Sequence, residues 1–389
     1  MKHSLTLSIL SDLHLRANEA TDGPNYSRCD EKLDALRSMV AHAVADHHDM
    51  LILAGDIFDS REPPEWLMAG FIGSLEECFK HGIHVYIIVG NHETNGTSHC
   101  YMTLKTLERF SLHPGNSWPL HIVDEPKTLL REPDVLIHMV PYMKSEETIA
   151  TVTNWWHHSL EESKDRTKIL VGHCSVDGAE LSGGNAYHIP TVLRKHHFSG
   201  YDLVLLGHIH QRQLYPGEDL SWGYMGSPLH QDFGEVQDAF PKGYYELCIT
   251  NSEYDGNDFS LDTIPVESTP LIQVELEEGD TLTKEVRTQM SGTICKLMLS
   301  GSETWLKSEE VAEIKRKCRA AVKKGKVVKV VVSTRCTDRE LVQAEEEVEE
   351  QGIKLDDSLQ RLCKEKDKEA FLPDGRTYLE EANNALAKA

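Results

Sequence analysis

The sequence predicts an α/β protein, on three observations. Apolar runs of strand length recur at 5–10, 51–54, 85–89, 168–171 and 202–206, as in parallel strands buried on both faces. Stretches of helical spacing alternate with them, such as Leu33, Leu36, Val40 and Val44. Every run closes on a residue type that binds metals, and four of the five do so beside a glycine.

Taken in order, strand 5–10 ends in Ser11-Asp12-Leu13-His14, and a loop through Gly23-Pro24-Asn25 leads to a helix over 30–48. Strand 51–54 runs into Gly55-Asp56-Ile57-Phe58-Asp59, and Pro63-Pro64 separates it from a helix expected over 65–80. Strand 85–89 runs into Gly90-Asn91-His92-Glu93, followed by a helix over 101–110 and then short strands with turn residues. Strand 168–171 stops at Gly172-His173, and strand 202–206 at Gly207-His208-Ile209-His210. Strands and turns at 222–228, 243–249 and 259–264 close this domain near Pro265. A smaller α/β unit follows, with strands at 271–276, 292–299 and 327–332. Its helix over 309–322 carries Val311, Ile314, Cys318 and Val322 on one side. Beyond Thr337 the chain is rich in Glu and Lys, with a narrow apolar stripe that includes Leu341, Val342, Leu359, Leu362 and Cys363. The expected domains are therefore 1–265, 266–335 and a helical segment, 336–389.

Composition bounds the function. With 389 residues, 40% hydrophobic and 26% charged, the chain has the make-up of a soluble globular protein. No apolar run approaches the ~20 residues of a membrane span. The first residues are too short for a signal peptide and lack a small-residue cleavage site. Nine cysteines without a C-x-x-C pair fit a reducing compartment, so a cytoplasmic location is expected. A net charge of −23 argues against an overall basic nucleic-acid binder. The stretch 315–335 is the exception, with nine basic residues and no acidic one. Within it Lys315, Arg316, Arg319, Lys323, Lys324 and Lys326 are candidate phosphate contacts; a solvated helix face is the alternative.

The strand-end residues form one constellation: Asp12 and His14, Asp56, Asn91 and His92, His173, His208 and His210. The carboxyl ends of strands are where open α/β sheets carry their ligands. Each motif alone is commonplace as a turn, a helix cap or a buried histidine. Five in succession, each after an apolar strand, are not. Mixed imidazole and carboxylate donors suit Mn²⁺, Fe or Zn²⁺ better than Mg²⁺. There are more donors than one ion can use. A bridging carboxylate between two ions ~4 Å apart accounts for them, and such a pair is the common clamp for phosphate-ester hydrolysis.

The order D-x-H, G-D-x-x-D, G-N-H-E, G-H, G-H-x-H resembles the calcineurin-like metallophosphoesterase superfamily over roughly residues 5–265. Within it the chain is similar to the SbcD-type DNA repair nucleases, the nuclease subunit of the SbcCD complex and its archaeal and eukaryotic recombination counterparts. The narrower likeness rests on Gly55 to Asp59 with Pro63, Gly90 to Glu93, and above all Gly226-Ser227-Pro228 followed by Phe233-Gly234-Glu235. It is weaker over 16–28, where the loop lacks a glycine-tyrosine often seen there.

The resemblance implies a layered β-sandwich flanked by helices, a small α/β capping domain over the site, and a C-terminal helical segment that docks on an SbcC-type ATPase. It implies two divalent ions, Mn²⁺ being expected: one held by Asp12, His14, Asp56 and His210, the other by Asp56, Asn91, His173 and His208. His92 takes the place that stabilises the transition state and protonates the leaving oxygen, with Glu93 orienting it. Asp59 orients His92, meets the DNA or caps a helix. Water activated by the ions is the nucleophile. The implied activity is exonuclease on duplex DNA and endonuclease on single strands. A homodimer through the helices near 65–80 and 101–110, within a heterotetramer, is also implied. The alternative is a calcineurin-like phosphodiesterase or phosphatase for a small nucleotide or other phosphoester.

Overall fold

The computed structural model describes residues 4–16, 28–94, 99–111, 118–132, 134–143, 146–161, 166–181, 185–186, 193–215, 221–237, 241–252 and 256–337. The elements begin β1 (Ser4–Leu10), α1 (Arg28–Ala45), β2 (Met50–Ala54), α2 (Glu65–Ser74), α3 (Glu76–Lys80), β3 (His84–Ile88), α4 (Asn91–Thr94) and α5 (His99–Ser111). They continue with β4 (Leu120–Val123), β5 (Lys127–Arg131), β6 (Val135–Val140), α6 (Glu146–Glu161), β7 (Thr167–His173), β8 (Glu180–Leu181), β9 (Asn185–Ala186) and β10 (Leu203–Gly207). Then come β11 (Gln213–Tyr215), β12 (Ser221–Tyr224), β13 (Gly243–Ser252) and β14 (Gly256–Pro265). Last are β15 (Leu271–Glu277), α7 (Lys284–Gln289), β16 (Ile294–Gly301), α8 (Glu303–Leu306), α9 (Glu309–Lys323) and β17 (Lys329–Cys336).

Two six-stranded sheets carry the first domain, in the orders β14-β13-β1-β2-β3-β4 and β11-β12-β10-β7-β6-β5. Strands β1 to β4 run parallel, as do β6, β7, β10 and β12, while β13, β14, β5 and β11 pair antiparallel at the edges. Alternation along each strand splits its side chains between two cores. Leu7, Ile9, Ile52 and Ile88 meet Ile137, Met139, Val171 and Leu205 in the layer between the sheets. Leu10, Leu51, Leu53 and Val85 pack instead against Leu33, Leu36 and Val40 of α1 and Phe71 of α2. On the outer face of the second sheet, Leu170, Val204 and Leu206 pack against Ile149, Val152 and Trp156 of α6. The result is four layers, helix–sheet–sheet–helix, with both faces of the central strands covered, so those strands read as continuous apolar runs.

The chain divides into two compact units, one of residues 1–273, 288–296 and 321–330, the other of 274–287, 297–320 and 331–389. Strands β15, β16 and β17 form a three-stranded sheet in that order. Val311, Ile314, Cys318 and Val322 of α9 are all buried, as their spacing predicts.

Two stretches differ from expectation. The helix over 65–80 is broken at Leu75, whose φ of −94° and ψ of −6° end α2 and begin α3; Gly70, Gly73 and Ser74 just before it are weak helix formers. The stretch after 110 is not strands alone, because 146–161 is a helix. Its buried Ile149, Val152, Trp156 and Leu160 do recur at helical spacing, but Thr151, Thr153 and Trp155 among them blur the pattern. The helical segment expected over 336–389 lies, beyond residue 337, outside the described residues, as does the loop 17–27.

Candidate metal centre

The carboxyl ends of β1, β2 and β3 in one sheet, and of β7 and β10 in the other, deliver the predicted residues to one place. The first two loops are laced together by backbone bonds, Asp12 N–H to Gly55 O at 3.1 Å and His14 N–H to Asp56 O at 2.9 Å. Asp12, His14, Asp56 and His208 hold φ angles of 55°, 45°, 49° and 97°. That left-handed region is unfavourable for residues with a Cβ, and such strain gathers at functional sites. Crowding also selects two glycines: a Cβ on Gly90 would overlap Asp56 Oδ1 and N, and one on Gly207 would overlap Ser11 Oγ and Ala54 O.

His14 Nε2 faces His210 Nε2 at 3.0 Å, with Asp56 Oδ2 at 3.6 Å and Asp12 Oδ1 at 4.0 Å. On the other side of Asp56, His173 Nε2 lies 3.3 Å from Oδ2 and 3.0 Å from Asn91 Oδ1, and His208 Nδ1 lies 2.9 Å from that same Asn91 oxygen. Two groups of donors therefore share Asp56. Their ring tautomers are set from behind. His173 Nδ1–H donates to Ala54 O at 2.8 Å and His210 Nδ1–H to Glu235 Oε1 at 3.0 Å, turning both Nε2 lone pairs inward. Such outward hydrogen bonds are the usual support of metal-binding imidazoles. Facing ring nitrogens at 3.0 Å need a shared proton or a common cation between them, and the neutral imidazole, carboxylate and amide oxygens around them fit a pair of divalent ions. Two such donor sets are Asp12, His14, His210 and Asp56, His173, His208; a further group is His14, Asp59 and His92.

His92 is half-exposed beside this cluster. Its Nδ1–H donates to the backbone oxygen of Asp59 at 3.0 Å, and its Nε2 lies 4.0 Å from Asp56 Oδ2. Glu93, expected to orient it, bonds to other groups. Glu93 is buried and spends both oxygens on backbone: Oε2 accepts from Gly90 N at 2.8 Å and Asp56 N at 3.2 Å, Oε1 from Phe58 N at 3.1 Å. It braces the loop that carries Asp56. Asp59 Oδ1 lies 2.6 Å from Arg16 Nη2, 3.5 Å from His14 Nδ1 and 3.9 Å from His92 Nδ1, so what holds His92 is the backbone of Asp59 rather than its carboxylate.

Several buried groups behind the site have roles not predicted from the sequence. The Ser11 hydroxyl lies 2.6 Å from Asp12 Oδ2 and 2.9 Å from Ala54 O. Lys32 is fully buried and donates to His14 O at 2.7 Å. Lys242 donates to Glu235 Oε2 at 2.7 Å, His210 O at 2.8 Å and Ser227 Oγ at 3.2 Å. Gln231 joins the same assembly, its N–H donating to Glu235 Oε2 at 3.1 Å and its side chain to Asp12 O at 3.0 Å. The G-S-P and F-G-E motifs thus meet behind His210. Nothing in the spacing of Lys32 or Lys242 marks either one.

Burial and charge act against each other throughout. Burial would hold His173 neutral, but Asp56 beside it raises its pKa to about 9. Burial would likewise raise Asp56, yet His173, His14 and His92 keep it well below the usual carboxylate range. Burial, helped by neighbouring His173, pushes His208 down to about 4. Glu93 is raised to about 7 by burial and then by the Asp56 charge. The Asp56 charge thus favours a proton on His173, and a divalent ion bound there would compete with it.

Of the basic run, Arg316, Arg319, Lys323, Lys324 and Lys326 are exposed and Lys315 is half-buried. Arg316 is paired with Glu313, and Lys317 lies 3.4 Å from the same carboxylate.

The family model described as calcineurin-like phosphoesterase matches residues 5–212. The chain is 27% identical over 257 residues to the SbcD subunit of the SbcCD nuclease of Staphylococcus epidermidis, covering 61% of this chain and 64% of that one. It is 28% identical over 267 residues to the metallophosphoesterase YhaO of Bacillus subtilis, covering 65% and 59%. It is 22% identical over 253 residues to the DNA double-strand break repair protein Mre11 of Methanocaldococcus jannaschii, covering 61% of each. These matches span about three fifths of the relatives' own length. Among solved structures, a dimetal phosphatase from Danio rerio aligns with a TM-score of 0.43 at 12% identity, covering 67% of this chain and 98% of that one.

Proposed function

Because the chain belongs to the calcineurin-like phosphoesterase family, whose members use divalent metals, we propose that it is a two-metal nuclease of the SbcD type. On this reading it hydrolyses DNA phosphodiesters, as an exonuclease on duplex and an endonuclease on single strands, in double-strand-break repair and recombination. The observation that carries the proposal is the sharing of Asp56 between two donor groups. Asp12, His14, Asp56 and His210 would hold one ion, and Asp56, Asn91, His173 and His208 the other. Bound there, the ions would lower the pKa of attacking water and neutralise charge on the phosphate, Mn²⁺ suiting the mixed donors.

The remaining work falls to the chain. With Nδ1–H committed to Asp59 O, His92 presents Nε2 to the cleft, where its protonated form hands a proton to the departing 3′-oxygen. Glu93 and Ser11 keep the Asp56 and Asp12 loops in their strained conformations. The narrower nuclease reading is supported by the named relatives and by the Ser227–Glu235–Lys242 assembly on which His210 rests. DNA would be gripped by the exposed basic residues of a capping unit at 266–335, and 336–389 would dock on an SbcC-type ATPase. Trp66 and Met102, 54% and 53% exposed on α2 and α5, support a homodimer through those helices. No helix among the described residues is long and apolar enough to cross a membrane.

The test is release of nucleotides from linear duplex DNA with Mn²⁺, set against turnover of a small phosphodiester. Efficient DNA degradation supports the proposal; turnover of the small ester alone refutes the nuclease reading. His92→Ala should lose about 10²–10⁴ in rate while its metal content stays that of the wild type.

A further inference from the structure

A second set of metal-type donors lies apart from the strand ends just described. The last turn of α1 and the residues after it read His42-x-x-x-Asp46-His47-His48. His42 and Asp46 are four apart and share a helix face, and Asp46 N–H still bonds to His42 O at 3.0 Å. His47 then takes a φ of 56°, and the chain turns back so that His48 N–H reaches Ala43 O at 2.9 Å. The fourth donor, Glu246, comes from β13, where it stands directly opposite Ser8 of β1.

One ligand atom from each of His42, Asp46, His48 and Glu246 lies within 4.8 Å of the other three. His42 Nε2 is 3.1 Å from Asp46 Oδ2 and 3.3 Å from Glu246 Oε2, and His48 Nε2 is 3.0 Å from that same Glu246 oxygen. Adjacent donors on a four-coordinate zinc, with bonds of about 2.0 Å, stand about 3.3 Å apart. Both imidazoles are aimed from behind: His48 Nδ1 lies 2.8 Å from Ser8 Oγ, and His42 Nδ1 lies 3.0 Å from Tyr244 OH. That is the outward hydrogen bond characteristic of metal-binding histidines. The His48 side chain is 0% exposed, and its Nε2 makes no hydrogen bond. The Glu246 carboxylate oxygen that faces this nitrogen at 3.0 Å also faces His42 Nε2 at 3.3 Å, so one oxygen is shared by two imidazoles.

We infer that His42, Asp46, His48 and Glu246 form a binding site for one divalent transition-metal ion, Zn²⁺ by preference, that ties the end of α1 to β13. Two imidazoles and two carboxylates match tetrahedral zinc, and nitrogen donors favour it over Mn²⁺ in the usual affinity order.

The test must separate this ion from any in the strand-end centre. The full chain carrying Asp56→Asn is equilibrated with Zn²⁺ and desalted, and its zinc is counted per chain, with and without Glu246→Gln added. Adding Glu246→Gln should remove one zinc per chain, and it should abolish the rise in Tm that Zn²⁺ produces. Asp46→Asn alters a side chain 60% exposed, so it serves if Glu246→Gln does not fold, and should weaken zinc binding by at least about tenfold. Equal zinc content with and without these substitutions, in chains of unchanged circular dichroism, would mean a polar cluster only and would overturn the inference.

Discussion

Glu235→Gln is the substitution whose effect can be worked out most fully. The carboxylate is completely buried, with Oε1 taking the His210 proton and Oε2 taking bonds from Lys242, Gln231 N and Ser227. Burial opposes its charge, but His210 and Lys242 outweigh that and bring its pKa from an ordinary 4.5 to about 2. Since one pKa unit is worth about 1.4 kcal/mol, the ionised carboxylate contributes about 3 kcal/mol to folding at neutral pH. The cost of breaking a buried ion pair, about 3–5 kcal/mol, agrees. Lys242 keeps His210 O and Ser227 Oγ as acceptors, which favours the lower figure. Because the folded pKa is depressed, this stability is fully present above pH 4.5 and is lost as the pH falls towards 2. The glutamine variant should therefore be less stable to urea by about 3 kcal/mol at pH 7, the difference shrinking below pH 4.5. It should also bind its ions about 10–100-fold more weakly, His210 having lost its brace. Adding Lys242→Met removes the stranded buried cation, so it should restore part of the stability and none of the metal affinity. Wild-type stability and metal affinity in Glu235→Gln would refute the reasoning.

Gly90→Ala places a methyl group against Asp56 Oδ1 and backbone N. Overpacking of this kind costs about 1–3 kcal/mol, and displacement of Asp56 should lower metal content at both ions together, read by Tm and elemental analysis. Charge reversal at Lys323, Lys324 and Lys326 should weaken DNA binding without changing metal content. The logarithmic dependence of affinity on salt should become shallower by about 0.9 for each phosphate that is no longer neutralised. An unchanged salt dependence would assign that run to solvated surface.

The central strands and the strand-end residues were legible because burial on both faces leaves an unmistakable apolar run, and because the donors directly follow it. Asp12, His14, Asp56, Asn91, His173, His208 and His210 meet as their positions foretold. What surrounds them was less legible for a physical reason. Glu93 looked like a partner for its neighbour His92, yet its buried carboxyl satisfies three amides instead, a demand set by loop shape and invisible in spacing. Lys32 and Lys242 work through long aliphatic stems that bring a charge under the site from α1 and from the residue before β13. A lysine that does this looks the same in sequence as one on the surface. The cluster of His42, Asp46 and His48 was open to view, but its fourth member stands about two hundred residues away, across a strand pairing that only the fold supplies.

The central claim is that Asp56 stands between two cations. Anomalous diffraction at the manganese edge, from crystals of the chain grown with Mn²⁺, tests it most directly. Two peaks are predicted, one bounded by Asp12, His14 and His210 and the other by Asn91, His173 and His208, with Asp56 touching both. A single peak, or a pair of which only one touches Asp56, would contradict it.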